Sequence, residues 1–258
     1  MPPLKTVTLK KQEQTAILTL DHPPVNAISL AMLDELEQAL DNVREDSTVK
    51  AAVLRSRKPK FFAAGADIKE IAAIGSAREG REYAARGKAV LDKIETAGKP
   101  FLAAVEGVCL GGGCELALAC HIRIVGAEAV FGLPEIKLGI MPGFGGTQRL
   151  IRLAGPAKAL EMMLTGESLD AQQALAAGLA NRIVERGAAY DAALELAKRI
   201  QDKSAPAIAA ILAAVRAPDN AEGFNRETRL FGELCETEDK QEGLSAFLEK
   251  RPPRFRDR

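Results

Sequence analysis

The sequence has few of the residues on which several classes of protein depend. Its 258 residues contain no tryptophan and two histidines, and aromatic side chains make up 4% of the chain. Nucleic-acid-binding surfaces are typically basic or rich in stacking aromatics, whereas here 35 basic side chains are balanced by 35 acidic ones. Because a net charge of zero provides no general attraction for polyanions, we expect neither nucleic acid nor a membrane surface as a partner.

The cysteines and histidines form no recognisable metal or disulfide pattern. The cysteines are Cys109, Cys114, Cys120 and Cys235, and their spacings match neither a Cys-x2-Cys zinc site nor a small disulfide scaffold. We therefore interpret them as buried, reduced side chains. Since only His22 and His121 are present besides, the sequence predicts no metal site.

Long hydrophobic runs are also missing. The longest uncharged run near the C-terminus covers residues 204–215 and includes Pro206, whereas a membrane span needs roughly 20 apolar residues. Residues 1–5 lack the apolar core of a secretory signal. These absences lead us to expect a cytoplasmic protein.

The chain does contain alternating apolar strands and amphipathic helices. The predicted strands are 7–9 and 17–20 (a hairpin), 51–54, 101–105, 122–125 and 130–131, and the predicted helices follow Ser29 and cover residues 78–96, with a loop at 59–67. This order is typical of an α/β fold. Beyond residue 145 every segment except 182–184 has helical character, so we predict an α/β core over residues 1–195 and a C-terminal helical region over residues 196–258.

Three segments have small residues or lone charges that packing alone explains poorly, and the first is KFFAAGADIK at residues 60–69. Here a strand ends in small residues and a helix starts near Asp67. Small side chains at such a corner let backbone N–H groups point outward, where they can hold an anion or a polarised carbonyl. A tight turn with Gly65 in the left-handed region explains the same residues, so this segment alone leaves both interpretations open.

The second segment is VCLGGGCELA at residues 108–117. Three consecutive glycines are costly unless the backbone must approach something closely. The Gly-Lys-Ser/Thr ending of a phosphate loop is missing. Glu115 lies in the first turn of an otherwise apolar helix, where an acid can simply complement the helix dipole. Burial would also raise its pKa, which suits a proton donor or acceptor.

The third segment runs from residue 131 to residue 149 and contains FGLPEIKLGIMPGFGGTQR. Glu135 is again a lone acid between apolar neighbours. The run Gly-Phe-Gly-Gly at residues 143–146 does not match the Gly-x-Gly-x-x-Gly fingerprint, and the βαβ context with a later ribose acid is missing. A dinucleotide site is therefore excluded.

Together these segments resemble the crotonase superfamily and, within it, the enoyl-CoA hydratases. The matching runs are FAAGADIK, GGGCELA and PEI–GI–PG–GGTQRL, and the similarity extends over residues 21–251. The resemblance implies an α/β fold built as a spiral of ββα units, with a C-terminal helical trimerisation region. It also implies hydration of trans-2-enoyl-CoA to 3-hydroxyacyl-CoA.

The resemblance further implies a role for individual residues. The backbone N–H groups of Ala66 and Gly112 would form an oxyanion hole for the thioester carbonyl of an acyl-CoA. Glu115 and Glu135 match the two carboxylates that share one water in this family. Gly143 matches the glycine whose amide helps to place that water.

Binding of the substrate and assembly are also implied by the resemblance. The residues expected beside the CoA or acyl group are Ala64, Ala66, Asp67, Ile68, Lys69 and Gly112, with Phe247 and Lys250 contributed by a neighbouring subunit. Residues 75–87 would border the acyl tail. CoA is part of the substrate, so no separate cofactor is expected, and the family is usually a homotrimer or a homohexamer made of two trimers.

Two alternatives stay open at this stage. A Δ3-Δ2 enoyl-CoA isomerase has the same fold, but such relatives usually lack an acid at the position of Glu115. A non-catalytic relative that binds acyl-CoA or RNA would not be expected to keep both acids. His121 stands where many relatives have an acid, and we interpret it as a structural variation.

Overall fold

The computed structural model describes residues 6–258, so the prediction made for residues 1–5 lies outside the described part. The strands are β1 (Val7–Gln12), β2 (Thr15–Leu20), β3 (Ala51–Ser56), β4 (Phe61–Ala63), β5 (Phe101–Val105), β6 (Val108–Leu110), β7 (Ile122–Gly126), β8 (Val130–Gly132), β9 (Ser168–Asp170) and β10 (Arg182–Val184). The helices are α1 (Leu30–Glu45), α2 (Ile68–Ala72), α3 (Ala77–Glu95), α4 (Gly112–Ala119), α5 (Gly146–Thr165), α6 (Ala171–Ala176), α7 (Ala189–Gln201), α8 (Ala205–Val215), α9 (Ala221–Leu234) and α10 (Glu238–Leu248), and a 3-10 helix covers Pro134–Leu138.

The strands form two sheets through which the chain winds in turn. One sheet has the order β1-β2-β3-β5-β7-β10 and is parallel apart from the β1–β2 hairpin. The other has the order β4-β6-β8-β9, in which β4, β6 and β8 are parallel. The pairs β3–β4, β5–β6 and β7–β8 each give one strand to each sheet and are followed by a helix. This confirms the predicted spiral of ββα units.

The six-stranded sheet is buried on both faces. One face packs against α7, whose Ala189, Ala193 and Ala197 recur every fourth residue and are fully buried against the sheet. The other face packs against α1, which Ser29 begins by accepting a hydrogen bond from the Met32 amide at 3.2 Å. Such two-sided burial explains why these strands have continuous apolar sequences rather than alternating ones.

The four-stranded sheet was predicted only in part. Residues 59–67 were assigned to a loop, but Phe61–Ala63 form β4, and Ser168–Asp170 form β9 in a stretch assigned to helices. A strand of three residues is too short to show an alternating pattern, and its stability depends on pairing with distant neighbours. The prediction was therefore wrong for these two strands.

The C-terminal helices carry many apolar side chains on their surface. The boundary predicted between residues 195 and 196 falls inside α7, and the division into two regions stays a prediction. The large exposed apolar side chains of α8, α9 and α10 are Ile211, Val215, Phe224, Phe231, Leu244, Phe247 and Leu248. Among the helices of residues 6–258, none combines the length and apolar character needed to cross a membrane. The trimer also stays a prediction.

The cysteines are free, and most of them are buried as predicted. Cys109, Cys114 and Cys120 are buried, whereas Cys235 is half-buried at the end of α9 and departs from the prediction. Across residues 6–258 no three His, Cys, Asp or Glu side chains are grouped closely enough to hold a metal ion.

Candidate active site

The three motif segments follow the carboxyl ends of three neighbouring strands. β4, β6 and β8 are parallel and adjacent, so the loops after them emerge at the same edge of the sheet. A cavity of about 310 Å³ lies there. It is lined by all five residues that the sequence placed in the reacting centre, namely Ala66, Gly112, Glu115, Glu135 and Gly143.

Two backbone N–H groups of this cavity have no hydrogen-bond partner among the residues that the structure describes. The amide of Asp67 donates to the carbonyl oxygen of Ile28 at 3.0 Å, and the amide of Gly111 donates to β8 at 2.9 Å. Between residues 6 and 258, by contrast, the amides of Ala66 and Gly112 donate to no protein atom. An unused amide pair of this kind can hold a carbonyl oxygen on which negative charge develops.

Glycine at residues 111 and 112 keeps the space between these amides open. A Cβ atom on Gly112 would lie 3.3 Å from the Ala66 nitrogen and 3.3 Å from the Phe144 ring. Gly111 has a φ of 50°, in the region that favours glycine, and a Cβ atom there would lie 3.1 Å from Glu135 Oε1. Glycine at these two positions thus allows the backbone to approach Ala66, Glu135 and Phe144 closely, as the sequence indicated.

Glu115 is held in a fixed orientation by two backbone donors. Its Oε1 accepts hydrogen bonds from the amides of Phe144 at 2.8 Å and Gly146 at 2.6 Å, and the residue is 2% exposed. Burial raises its pKa to about 7, against the two amide bonds and the Arg149 charge, which lower it. The charge of the nearby Glu135 carboxylate contributes to this raised value. Glu115 can therefore gain or lose a proton near neutral pH.

Glu135 has a different environment on the 3-10 helix Pro134–Leu138. Its Oε2 atom is buried and has no hydrogen-bond partner among the described residues. Burial raises its pKa above the ordinary value, while a hydrogen bond from its own amide lowers it. A buried carboxyl oxygen without a partner is costly, so this atom is available for a ligand or a water in the cavity.

Arg149 supports the loop that holds Glu115, and sequence reasoning missed it. This residue is 3% exposed, and its guanidinium donates to the Phe144 carbonyl at 2.5 Å. It also pairs with Asp92 at 2.7 Å and with Glu95 at 2.8 Å, both near the end of α3. Because these partners are more than fifty positions away in the chain, no local pattern could have identified the role of Arg149.

One face of α3 also forms part of the cavity, within the segment 75–87 that was expected to border the acyl tail, although none of its residues was named individually. Gly80, Tyr83 and Ala84 line it, and Gly87 lies one turn further along the same face. A Cβ atom on Gly87 would lie 2.1 Å from the Phe144 ring, so only glycine leaves room for that ring. The available signal was the spacing i, i+4, i+7 of the small residues Gly80, Ala84 and Gly87 on the face that also carries Tyr83.

The segment predicted to run beside CoA lies next to the oxyanion-hole candidate Ala66. The Ala64 amide donates to the Val25 carbonyl oxygen at 3.1 Å, and Asp67 begins α2 by accepting from the Lys69 amide at 2.8 Å. Ile68 and Lys69 are exposed. The structure therefore places an exposed segment directly after the cavity.

Three further residues lie outside the cavity. Phe247 is 80% exposed on α10, and Lys250 is exposed after the same helix. His121 accepts a hydrogen bond from the Phe101 amide at its Nδ1 atom, 3.0 Å away, and burial lowers its pKa. This bond connects His121 to the first residue of β5, which is consistent with a structural role.

Comparisons with known proteins agree with this geometry. The chain is 40% identical over 257 residues to a probable enoyl-CoA hydratase of Bacillus subtilis, covering 98% of this chain and 99% of that protein. It is 39% identical over 254 residues to a short-chain-enoyl-CoA hydratase of Clostridium acetobutylicum, covering 96% of both. A crystal structure of an enoyl-CoA hydratase from Bacillus anthracis superposes with a TM-score of 0.93 at 32% identity, covering 98% of this chain and 100% of that one.

A family model leads to the same assignment. Residues 10–258 match the model described as enoyl-CoA hydratase/isomerase, which is nearly the whole chain. The matched range contains the three motif segments, the two unused amides and both cavity glutamates, Glu115 and Glu135. The protein therefore belongs to the enoyl-CoA hydratase/isomerase family, the crotonase-type family that its motifs resemble.

Proposed function

We propose that the protein is an enoyl-CoA hydratase that adds water to trans-2-enoyl-CoA and forms 3-hydroxyacyl-CoA. The observation that carries this proposal is a single cavity that contains the buried Glu115, the half-buried Glu135 with its buried Oε2 atom, and two unused backbone N–H groups. The names of relatives that are similar over their full length support the same reaction.

The amides of Ala66 and Gly112 would bind the thioester carbonyl oxygen. When a nucleophile adds at C3, electrons of the C2–C3 double bond move toward this oxygen and an enolate develops. Donors that are already oriented stabilise this charge without reorganisation, and each contributes a factor of about 10²–10³ in rate. Polarisation of the thioester thus needs no group beyond the backbone.

The two glutamates would divide the proton transfers between them. We assign the general base to Glu115, because two N–H donors stabilise its charged form. It removes a proton from water while the oxygen attacks C3, and the Gly143 amide would help to orient that water. Glu135, whose pKa is also raised, would deliver a proton to C2. One water is consumed: its hydroxyl group ends on C3, and a proton from Glu135 ends on C2. The proton that Glu115 accepted then passes to Glu135, so both carboxyl groups return to their starting states.

Because the net charge of the protein is zero, CoA would be bound by local contacts and not by a general electrostatic attraction. Ala64, Asp67, Ile68 and Lys69 would run beside the CoA, and Phe247 and Lys250 would reach it from a neighbouring subunit of a homotrimer or homohexamer. The exposed apolar side chains of the last three helices support such an assembly. We propose no separate cofactor, since two amides and two carboxylates supply the charge stabilisation and the proton transfers.

The proposal is tested by incubating the purified protein with crotonoyl-CoA. We expect loss of the absorbance of the conjugated enoyl thioester and formation of 3-hydroxybutyryl-CoA, which mass spectrometry detects as the gain of one water. Faster conversion of a 3-enoyl-CoA to the 2-enoyl isomer would instead favour an isomerase. No turnover with short, medium, long or aromatic enoyl-CoA would favour a non-catalytic binding protein.

The pH dependence of hydration should show the raised pKa of Glu115. The base must be ionised to accept a proton, so kcat/KM for crotonoyl-CoA should fall about tenfold per pH unit below about 7. Glu135→Gln removes a carboxyl group that raises the pKa of Glu115 whenever it is ionised in the free enzyme, so the acid limb of the residual kcat/KM should move to lower pH. An acid limb at the same pH in both proteins would contradict the coupling.

A further inference from the structure

Two side chains separate the cavity from a second depression on the surface. Tyr83 and Ile74 line the 310 Å³ cavity that contains the two glutamates. The same two residues line an open groove of about 480 Å³ formed by α1, α2 and α3. We call Tyr83 and Ile74 the partition, since they are the lining residues that the two spaces share.

The two sides of the partition differ in chemistry. On the cavity side the large side chains other than the two glutamates are apolar, and they are Ile71, Ile140, Met141 and Phe144. On the groove side most of the lining side chains are charged, and the charged ones are Asp34, Glu70, Glu79, Glu82 and Arg86. An apolar acyl tail is therefore favoured on the first side and disfavoured on the second.

The partition is held in place by packing. Tyr83 lies on the long helix α3, and its ring centroid is 5.5 Å from that of Phe144. Its hydroxyl oxygen is buried and has no hydrogen-bond partner among the described residues. Burial, and then the charges of Glu70 and Asp67, raise the pKa of this phenol, so it stays neutral. The ring, rather than a hydrogen bond of the hydroxyl, thus forms the barrier.

We propose that Tyr83, together with Ile74, determines the length of acyl chain that the enzyme accepts. This inference rests on the proposed hydratase function and names its substrate class as short, apolar enoyl-CoA thioesters. Ligand cavities typically measure about 300–1,000 Å³, and this one lies at the low end while it must also hold the thioester and the reacting carbons. A longer tail meets the Tyr83 ring before it can leave the cavity.

The experiment compares chain-length profiles of Tyr83→Ala and the unaltered protein. We measure kcat/KM for crotonoyl-CoA, trans-2-hexenoyl-CoA and trans-2-octenoyl-CoA. In Tyr83→Ala the cavity and the groove become continuous, so the octenoyl-to-crotonoyl ratio should rise at least about tenfold, the lower limit for one methylene in a shaped pocket. Ile74→Ala should raise the same ratio from the other half of the partition.

Two control variants separate the ring from other effects. Tyr83→Phe keeps the ring and removes the unpartnered hydroxyl, so its octenoyl-to-crotonoyl ratio should equal that of the unaltered protein. Tyr190→Ala removes the other tyrosine ring, which stacks with the Arg55 guanidinium at 4.0 Å and lines neither space. Its ratio should also be unchanged.

The possible outcomes distinguish this inference from the proposed function. An unchanged ratio in folded Tyr83→Ala and Ile74→Ala, with crotonoyl-CoA still hydrated, overturns the role of the partition alone. A raised ratio in Tyr83→Phe overturns it too, because the hydroxyl would then be the selecting group. Equal rates for all three substrates in the unaltered protein likewise overturn it. No hydration of any substrate overturns the proposed function, and the inference with it.

Discussion

Replacement of either glutamate by glutamine is expected to lower kcat for crotonoyl-CoA by a factor of about 10²–10⁴, the usual contribution of a positioned acid or base. Glutamine has nearly the shape of glutamate but cannot exchange a proton. Glu115→Gln should keep an oxygen that can accept from the Phe144 and Gly146 amides, so the fold of the site persists. KM should change far less than kcat, because the lost interaction acts mainly in the transition state.

A matched control for this pair is Glu128→Gln. Glu128 lies on the surface and pairs with Arg186 at 3.2 Å, and both side chains are about 60% exposed in an ion pair that contributes little. Its kcat should equal that of the unaltered protein. If Glu115→Gln and Glu135→Gln both retain the full rate in steady-state assays, the mechanism proposed above is wrong.

Glu115→Gln should also change stability in a way that depends on pH. The pKa of Glu115 is about 7 in the folded protein against an ordinary 4.5, so the folded state binds this proton more tightly than the unfolded state. The unaltered protein therefore loses stability as pH rises from about 4.5 to about 7, by about 3 kcal/mol in total. Glutamine cannot ionise, so the variant should have the higher Tm at pH 8, and this advantage should vanish at pH 4 in thermal unfolding experiments.

Gly112→Pro is expected to have the second large effect, a loss of about 10²–10³ in kcat/KM relative to Gly112→Ala. Gly112 is the first residue of α4, a position where proline is well tolerated because its missing N–H would have no helical partner. The substitution therefore removes one proposed oxyanion donor while the helix can still form.

Gly112→Ala is the necessary reference for this measurement. It keeps the N–H group but adds a Cβ atom 3.3 Å from the Ala66 nitrogen, so it reports the steric cost alone. The difference between the two variants gives the combined effect of losing the amide hydrogen and of placing the proline Cδ atom where that hydrogen pointed, provided that circular dichroism and thermal unfolding show both to be folded. Equal kcat/KM values for folded Gly112→Pro and Gly112→Ala would remove the Gly112 amide from the mechanism.

Prediction from the sequence worked best for long elements with a regular apolar spacing. The helix predicted over residues 78–96 is Ala77–Glu95, and Val90, Leu91 and Ile94 are buried as the spacing required. The strands β4 and β9 were missed because a strand of three residues is too short to show an alternating apolar pattern, and because their hydrogen bonds go to strands distant in the chain. Local patterns thus identify helices and strands whose apolar residues recur at a regular spacing.

Sequence reasoning did not identify the individual residues that support the site, although Tyr83 lies within the segment 75–87 that was expected to border the acyl tail. Tyr83 and Phe144 are in ring contact although 61 positions apart. Arg149 reaches back 57 positions to Asp92. Such contacts have no signature in a single sequence, because nothing in the local composition distinguishes these residues from ordinary core or surface side chains.

The sequence by itself predicted the family and the spiral of ββα units through the resemblance of its motifs, and it singled out Glu115 and Glu135 because lone acids in apolar segments are costly without a function. Only the tertiary structure decided how these groups meet. The ends of β4, β6 and β8 bring Ala66, Gly112 and Glu135 to one edge, because adjacent parallel strands end on the same side of a sheet. Burial in that cavity then raises the pKa of Glu115 to about 7, and the Tyr83 ring forms part of the cavity wall. Both effects depend on residues that are distant from one another in the chain.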